Sequence, residues 1–251
     1  MAGHSQFKNI MHRKGAQDAK RAKVFAKLAR EITVAAKSGL PDPKQNPRLR
    51  NSIINARSEN MPNDKIKKAL EKAISSDNSE NFFEIRYEGF GNNGISMIIE
   101  TLTDNKNRTA SEVRSILTKN GGNLGETGSV SFNFQQLGEI SFDNKLKTKD
   151  DIINVAIEND AIDILEEEKA FKILCKPNNF GSLKNLLEKN FVEPNSAKLI
   201  WSPLSFIKTD FEEAKKIFFI IDCLEENDDV QNVYTNLEIS DETIRKLNEN
   251  L

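Results

Sequence analysis

The 251-residue sequence contains few of the side chains that build metal, redox and disulfide sites. Its two cysteines, Cys175 and Cys223, are far apart, and each lies within an apolar run. That placement is typical of buried thiols in a reducing compartment rather than of a disulfide framework. The two histidines, His4 and His12, have no cysteine or carboxylate near them at the spacing of metal ligands. We therefore expect no metal, no cofactor and no catalytic residues, and the chain is predicted not to be an enzyme.

Long apolar runs are also missing from the sequence. No stretch approaches the roughly 18 apolar residues of a membrane-spanning helix, and Met1 to Lys14 lacks the apolar centre of a secretory signal peptide. We expect a monomeric cytoplasmic protein with no membrane contact. A hydrophobic content of 37%, with 15 phenylalanines, is sufficient for hydrophobic cores, and the length suits two domains or three small ones.

Acidic residues are scarce in one part of the chain. The first 75 residues hold 17 Lys and Arg against 6 Asp and Glu, whereas the remaining 176 hold 19 basic and 32 acidic residues. The resulting net charges of +11 and −13 nearly cancel in the formal total of −2. A basic module on an acidic body is attracted to polyanions through one end, and nucleic acid is the commonest such partner.

The basic segment is predicted to form a bundle of three short amphipathic helices. In 18–37, apolar residues recur at helical spacing on one side and cations recur on the opposite side. Asn46 and Pro47 are the expected N-cap and first residue of a second helix. A third helix follows Met61-Pro62-Asn63. Its apolar face is expected to bury Ile66, Leu70 and Ala73 or Ile74, and its polar face to expose Lys65, Lys68 and Lys72.

Beyond the linker at 75–79 the apolar period changes to that of strands. Residues 82–135 are predicted to form strand, strand, helix and strand, with the helix at about Thr109–Lys119 and the last strand carrying Val130, Phe132 and Phe134. Residues 138–208 follow the βαββαβ order of a ferredoxin-like unit. A helix at 211–224 and a strand at 232–239 remain, and we infer that they return to complete the first sheet.

The predicted fold class is therefore α+β with three domains. A basic helical bundle occupies 1–77, and two ferredoxin-like α/β domains follow, one inserted in the other. The discontinuous domain comprises 82–135 plus 209–251, and the inserted domain comprises 137–208.

Three groups of cations are candidates for contact with nucleic acid. An N-terminal arm without helical or strand period precedes a basic stripe on the first helix and a basic face on the third. The candidate residues are His4, Lys8, His12, Arg13, Lys14, Lys20, Lys23, Lys27, Arg30, Lys37, Lys65, Lys68 and Lys72. The alternative is a solvated terminus and ordinary charged helix faces. Six phosphate contacts would give a log–log salt slope of roughly −4 to −5, and a stripe of lysines predicts weak sequence specificity.

A secondary anion site is possible where a strand gives way to a helix. Asn105, Asn107, Arg108 and Thr109 could hold an anion at the helix N-terminus, although Asp104 would repel a phosphate. The alternative is that Asn107 or Thr109 only caps the helix. The glycine-rich segment 121–128 lacks the Gly-Lys-Ser/Thr ending of a phosphate loop and is expected to be a flexible or tightly turned connection.

Three stretches of the sequence are distinctive. They are AGHSQFKNIMHRKGAQDAKRAKVFAKLAREI near the start, NPRLRNSIINARSENMPNDKIKKALEKA from Asn46, and YEGFGNNGISMIIETLTDNKNRTASEVRSILTKNGGNLGETGSVSFNF from Tyr87. With them, and along essentially its whole length, the chain closely resembles the YebC family, which includes the mitochondrial translational activator of cytochrome oxidase I. The sequence departs from the usual family opening at Gln6, commonly Lys, and at Phe7, commonly Trp, and both changes should weaken contacts of the arm.

The resemblance implies a three-domain α+β fold and a role in gene expression. Members are described as transcriptional regulators that bind DNA. Mitochondrial and bacterial relatives look like ribosome-associated factors that aid elongation through difficult sequences such as proline runs. The resemblance also makes the arm a contact element and adds Met61–Asp64 and Asp104–Thr109 to the candidates.

The leading hypothesis is a non-enzymatic, nucleic-acid-binding regulator of gene expression, namely a transcriptional regulatory protein that binds DNA. The first alternative is a ribosome-associated translational activator that contacts ribosomal RNA and aids elongation. The lack of a base-reading helix favours RNA, whereas the customary description of the family favours DNA. The second alternative is a protein–protein scaffold whose basic domain docks an acidic partner.

Overall fold

The computed structural model of the protein describes residues 17–75 and 81–239, with side chains from residue 21 onward. This part of the chain holds seven α-helices and two four-stranded antiparallel sheets, so the predicted α+β class is confirmed. The helices are α1 (Gln17–Lys37), α2 (Pro47–Ser58), α3 (Asn63–Ile74), α4 (Lys106–Lys119), α5 (Lys149–Glu158), α6 (Pro177–Asn190) and α7 (Phe211–Glu225). The strands are β1 (Phe83–Phe90), β2 (Ser96–Thr103), β3 (Asn123–Leu124), β4 (Phe134–Asp143), β5 (Ala161–Glu166), β6 (Ala170–Cys175), β7 (Ser196–Pro203), β8 (Ile207–Lys208), β9 (Val230–Thr235) and β10 (Leu237–Glu238).

The described residues separate into two compact units. The first unit takes 17–27, 81–135 and 202–239, and the second takes 28–75 and 136–201. These units group the residues differently from the predicted domain boundaries, which stay a prediction.

The first unit is built on the sheet β3-β1-β2-β9. β1 and β2 pair antiparallel, and β9 pairs with the other side of β2, so the C-terminal helix and strand complete this sheet. Gly91, just after β1, is needed for close packing, because a Cβ there would lie 2.5 Å from Cδ1 of Ile217 on α7. The core between the sheet, α4 and α7 contains Ile95, Met97, Ile99, Val113, Leu117, Ile217, Ile220, Leu224 and Val233.

The second unit contains the sheet β5-β6-β4-β7 together with α5 and α6. Along the chain these elements follow the βαββαβ order that the sequence predicts, and the strand order is that of a ferredoxin-like sheet. Phe142 on β4 and Phe171 on β6 stack with their ring centroids 5.6 Å apart. Both rings are fully buried in the core that this sheet shares with the helices.

The helical part of the second unit comprises the end of α1, α2 and α3. Asn46 joins α1 to α2: its side chain accepts from the Leu49 N–H at 3.0 Å and donates to the Ala35 carbonyl at 2.7 Å. The predicted Asn46 N-cap and Pro47 at the start of α2 are thus confirmed. Asn55 on α2 pairs with the backbone of Ala197 on the edge strand β7, accepting from its N–H at 3.1 Å and donating to its carbonyl at 3.4 Å.

Two sequence predictions about strands and helices in the first unit are wrong. α4 begins at Lys106 rather than about Thr109, because Asn105 is the cap and its side chain accepts from the Arg108 N–H at 3.1 Å. Residues 130–133 do not form a strand. Residues 131–133 form a 3₁₀ turn and β4 begins at Phe134, which leaves Phe132 69% exposed.

The predicted buried face of the third helix is also displaced. Ile66 is buried as expected, but Ala69 is the second buried residue of α3, whereas Leu70 is half-buried and Ile74 is 63% exposed. The hydroxyl of Thr33 on α1 donates to the Ala69 carbonyl at 3.0 Å, and this close approach sets which side of α3 faces inward. No helix in the described ranges is long and apolar enough to cross a membrane.

Candidate nucleic-acid interface

The predicted contact residues of the N-terminal arm lie outside the described residues, as does the side chain of Lys20. They are His4, Lys8, His12, Arg13 and Lys14. The remaining candidates lie on α1, on α3 and at the start of α4.

Lys23 and Lys27 on α1 are held by the C-terminal end of α7. The Lys23 Nζ donates to the backbone carbonyl of Glu226 at 3.2 Å, and the Lys27 Nζ donates to that of Glu225 at 2.5 Å. The last carbonyls of a helix have no partners within the helix and carry partial negative charge, so ammonium groups are favoured there. The basic stripe predicted on α1 is therefore not simply a solvated face, because two of its lysines serve a contact within the first unit.

Arg30 and Lys37 belong to the second unit. Arg30 is half-buried and Lys37 is exposed, and both have interaction partners within the chain. Lys37 lies in the last turn of α1, where a cation complements the helix dipole. Nearby, Arg48 forms a two-pronged pair with Glu31, at 2.9 Å through Nε and 3.2 Å through Nη2, so its charge is partly compensated.

The face of α3 presents the predicted lysines Lys65, Lys68 and Lys72, and all three side chains are exposed. Burial of Ile66 and Ala69 directs this face away from the core of the second unit. Positions three and four apart on a helix share one face, so the three lysines form a single row. A fourth lysine, Lys67, stands at the side of the row and pairs with Glu71 at 3.9 Å.

The segment Met61–Asp64 forms the entry to α3. Met61 is 4% exposed, and the Pro62 carbonyl accepts from the N–H groups of Lys65 and Ile66 at 2.9 and 3.2 Å. No side chain caps this helix, and Asp64 lies in its first turn, where a carboxylate complements the dipole. This segment therefore fixes the orientation of the lysine row.

The turn before α4 holds a buried network around Asp229, which follows α7. One carboxylate oxygen of Asp229 accepts from the hydroxyls of Thr103 and Thr109 at 3.0 and 2.7 Å, and from Arg108 Nη2 at 2.7 Å. Arg108 Nη2 also lies 2.7 Å from Asp104 Oδ1. The hydrogen bonds and charges of Asp229 and then of Asp104 raise the pKa of the Arg108 guanidinium above its ordinary value.

This network bears on the proposed secondary anion site at Asn105, Asn107, Arg108 and Thr109. Asn105 caps α4, while Arg108 and Thr109 already bind a carboxylate of the protein itself. Asn107 is exposed on the first turn of α4. The donors that the sequence offers to an external anion are largely used by Asp229, so the geometry does not favour a phosphate here.

A second internal carboxylate organises the glycine-rich segment 121–128. Glu88 on β1 is 1% exposed, and its Oε2 accepts from the N–H groups of Val130 and Ser131 at 2.8 and 2.9 Å. Burial raises the pKa of Glu88, but backbone hydrogen bonds from Val130, Gly128 and Ser131, with the charge of Arg86, outweigh it and lower the pKa below its ordinary value. Gly121 and Gly128 have φ values of 83° and 93°, which favour glycine. The segment is thus a turned connection fixed by Glu88.

The described residues offer little for covalent or metal chemistry. No group of three or more His, Cys, Asp or Glu side chains within 17–75 and 81–239 could hold a metal ion. Burial raises the pKa of the Cys175 thiol to about 11, and burial followed by the charges of Glu226 and Asp222 raises that of Cys223. A thiol with a raised pKa is a poor nucleophile at neutral pH.

Sequence reasoning misses Asp229 and Glu88, the two carboxylates that organise the first unit. Asp229 lies 120 and 126 residues from the threonines that bind it, and Glu88 lies 42 residues from Val130. No local pattern marks either one. Asp229 ends a polar and acidic stretch that begins at Glu225, so nothing in its own surroundings distinguishes it from the carboxylates beside it.

Comparison with known proteins matches nearly the whole chain to two models of one family. Residues 5–76 match the TACO1/YebC protein N-terminal domain, and residues 82–237 match the TACO1/YebC second and third domain. Among solved structures, the chain is similar to a conserved hypothetical protein from Aquifex aeolicus. That match has 40% sequence identity and a TM-score of 0.80, and covers 89% of this chain and 93% of the other.

Proposed function

Because the chain belongs to the TACO1/YebC family, a family of transcriptional-regulator-like proteins, we propose that it is a non-enzymatic regulator of gene expression that binds nucleic acid in the cytoplasm. Duplex DNA is the target we propose first, which makes the protein a transcriptional regulator. The proposal rests on the exposed row of Lys65, Lys68 and Lys72 on α3.

The dimensions of this row suit a nucleic-acid backbone. Seven residues separate Lys65 from Lys72, which corresponds to about 10 Å along a helix. A DNA strand advances about 3.4 Å per nucleotide, so the row spans about three nucleotides. Three exposed ammonium groups on one face can meet successive phosphates.

Ribosomal RNA is the second candidate, and one observation favours it. The row consists of lysines, whereas base edges in the major groove are read by Arg, Asn and Gln in two-pronged geometry. A lysine row contacts the backbone of either nucleic acid, and RNA is often recognised by shape and phosphates. In this second version the protein is a ribosome-associated translational activator.

We also propose the three-domain division as the framework of this function. The family models divide the chain between 76 and 82, which supports a basic domain at 1–77. The pairing of β9 with β2 supports a discontinuous domain of 82–135 plus 209–251. The strand order β5-β6-β4-β7 supports an inserted ferredoxin-like domain at 137–208.

Two binding assays at about 0.15 M salt test the proposal, because weak phosphate contacts are screened there. One is a mobility shift with a mixed-sequence DNA duplex, and the other is co-pelleting with purified ribosomes. The test variant carries Lys65→Glu, Lys68→Glu and Lys72→Glu. The matched control has the same change of charge at three exposed lysines elsewhere in the second unit, Lys145, Lys147 and Lys169.

We expect the α3 variant to lose binding and the control to keep it. A second variant with alanine at the same three positions measures the number of phosphate contacts. If each lysine meets one phosphate, the slope of log affinity against log salt concentration becomes shallower by about two to three. A shift of DNA identifies the transcriptional version, and retention on ribosomes alone identifies the translational version. Binding to neither probe would overturn the proposal and leave a protein–protein scaffold.

A further inference from the structure

The C-terminal end of α7 binds two lysines of the basic stripe and so competes with nucleic acid for them. Lys23 and Lys27 donate to the carbonyls of Glu226 and Glu225, at 3.2 and 2.5 Å. These contacts lie within the first unit. The same end of the helix is strongly acidic, with carboxylates at Asp222, Glu225, Glu226 and Asp228.

A phosphate group that approaches Lys23 or Lys27 meets this acidic end. The last carbonyls of α7 carry partial negative charge, and neighbouring carboxylates add full negative charges within the range of unscreened interaction. A lysine has three N–H donors, but its charge is already partly compensated where it contacts the helix end. The docked arrangement is therefore one in which these two lysines bind nucleic acid poorly.

We propose that these contacts form an autoinhibitory latch, named here the α7 latch: Lys23 on Glu226 and Lys27 on Glu225. The inference rests on the proposed nucleic-acid binding and concerns its regulation. Nucleic acid must draw the two ammonium groups away from the α7 carbonyls before they can pair with phosphates, so the latch lowers the observed affinity. Each ammonium group at a helix C-terminus is weakly held. Breaking two such contacts lowers the affinity for nucleic acid by about threefold to thirtyfold. A hold of this size is weak enough for a polyanion to break.

The test weakens the α7 end without touching the lysines. The variant Glu225→Gln with Glu226→Gln removes two negative charges beside the latch. Its matched control, Glu126→Gln with Glu212→Gln, removes two charges from exposed positions elsewhere in the same unit. Both pairs are also made in a Lys23→Ala, Lys27→Ala background, so that a double-mutant cycle isolates the coupling between the lysines and the α7 end.

Affinity is measured on the mixed-sequence DNA duplex and on purified ribosomes at about 0.15 M salt. The Glu225, Glu226 variant keeps the carbonyl contacts and loses only the charges beside them, so we expect it to bind about threefold more tightly than the wild-type chain and the control to gain less. The gain should disappear in the background that lacks both lysines. Equal gains in the two pairs, or a gain that persists without the lysines, would overturn the latch while leaving nucleic-acid binding intact.

A second measurement needs no nucleic acid. Acetylation by an amine-reactive reagent, followed by mass spectrometry, gives the relative reactivity of each lysine. Lys27, which is half-buried, should react more slowly than the exposed Lys68 in the wild-type chain, and it should react more quickly in the Glu225, Glu226 variant than in the wild-type chain. Unchanged rates would contradict the latch. If the reactivities change as expected but no variant binds either probe, the proposed function fails, and its regulation fails with it.

Discussion

The Asp229 network permits a comparison of two carboxylates that share one guanidinium. Arg108 Nη2 lies 2.7 Å from Asp229 and 2.7 Å from Asp104. The Asp229 side chain is 5% exposed, whereas the Asp104 side chain is 47% exposed. The distance and the cation are the same, so burial and the additional donors are the main differences between the two pairs.

We expect Asp229→Asn to lower the free energy of unfolding by about 2–3 kcal/mol. Hydrogen bonds to a charged group contribute about 1.5–3 kcal/mol, against about 0.5–1.5 kcal/mol for neutral ones. Asparagine keeps an acceptor for Thr103 and Thr109 but loses the charge, so each of these two bonds weakens by about 1 kcal/mol. The loss at Arg108 is smaller, because that side chain is 43% exposed and solvent screens the pair.

The control Asp104→Asn should cost less than about 1 kcal/mol, as exposed ion pairs usually do. Urea unfolding followed by far-UV circular dichroism gives both values, provided that the slope with urea stays unchanged. Hydrogen exchange at the Leu102 amide, which donates to the Asp229 carbonyl at 2.8 Å, reports the same region directly. If Asp104→Asn destabilises the protein as much as Asp229→Asn, burial does not decide the strength of these pairs and the reasoning fails.

Two other buried ionisable groups predict that stability rises with pH, one in the alkaline range and one in the acid range. Burial lowers the pKa of Lys184 from 10.5 despite its ion pair with Glu188, so the free energy of unfolding should rise with pH between the lowered value and 10.5. The midpoint of urea unfolding, measured against pH, should lose this rise in the variant Lys184→Met. Identical pH profiles of the wild-type chain and the variant would refute the prediction. The lowered pKa of Glu88 stabilises the fold above its ordinary value of 4.5, and this stability is lost as pH falls through the folded value. Glu88→Gln should remove that acid dependence and speed hydrogen exchange at Val130 and Ser131 about tenfold or more; unchanged exchange would show that Glu88 does not hold this turn.

Local chemistry in the sequence is enough to predict several elements of the fold. Asn46 before Pro47 predicts the start of α2, and the structure shows the expected side-chain hydrogen bond at 3.0 Å. The change of apolar period after the linker predicts the α+β class, and the βαββαβ order predicts the strand order of the second sheet. These features depend on residues within about one element of one another.

Features that depend on distant partners are the ones the sequence cannot show. Lys27 and Glu225 are 198 residues apart, so the stripe on α1 looks solvated until α7 is placed against it. Ile74 has the right spacing for the buried face of α3, yet the close approach of Thr33 to Ala69 leaves it exposed. Helical periodicity gives the direction of a face, whereas the packing partner decides how far along the helix that face is covered.

Two backbone features of the first unit resemble anion-binding sites, and in each a carboxylate of the protein itself occupies the site. Asp229 fills the turn before α4, and Glu88 fills the N–H groups that follow the glycine-rich segment. A phosphate would have to displace a buried, multiply hydrogen-bonded carboxylate at either place, and leaving that carboxylate unpaired costs several kcal/mol. The exposed lysines of α3 face no such barrier, because ammonium groups in solvent exchange partners cheaply. Exchanging one partner for a phosphate therefore costs much less free energy at the lysine row of α3 than at either carboxylate. This difference, more than the number of cations, favours the α3 row as the binding surface.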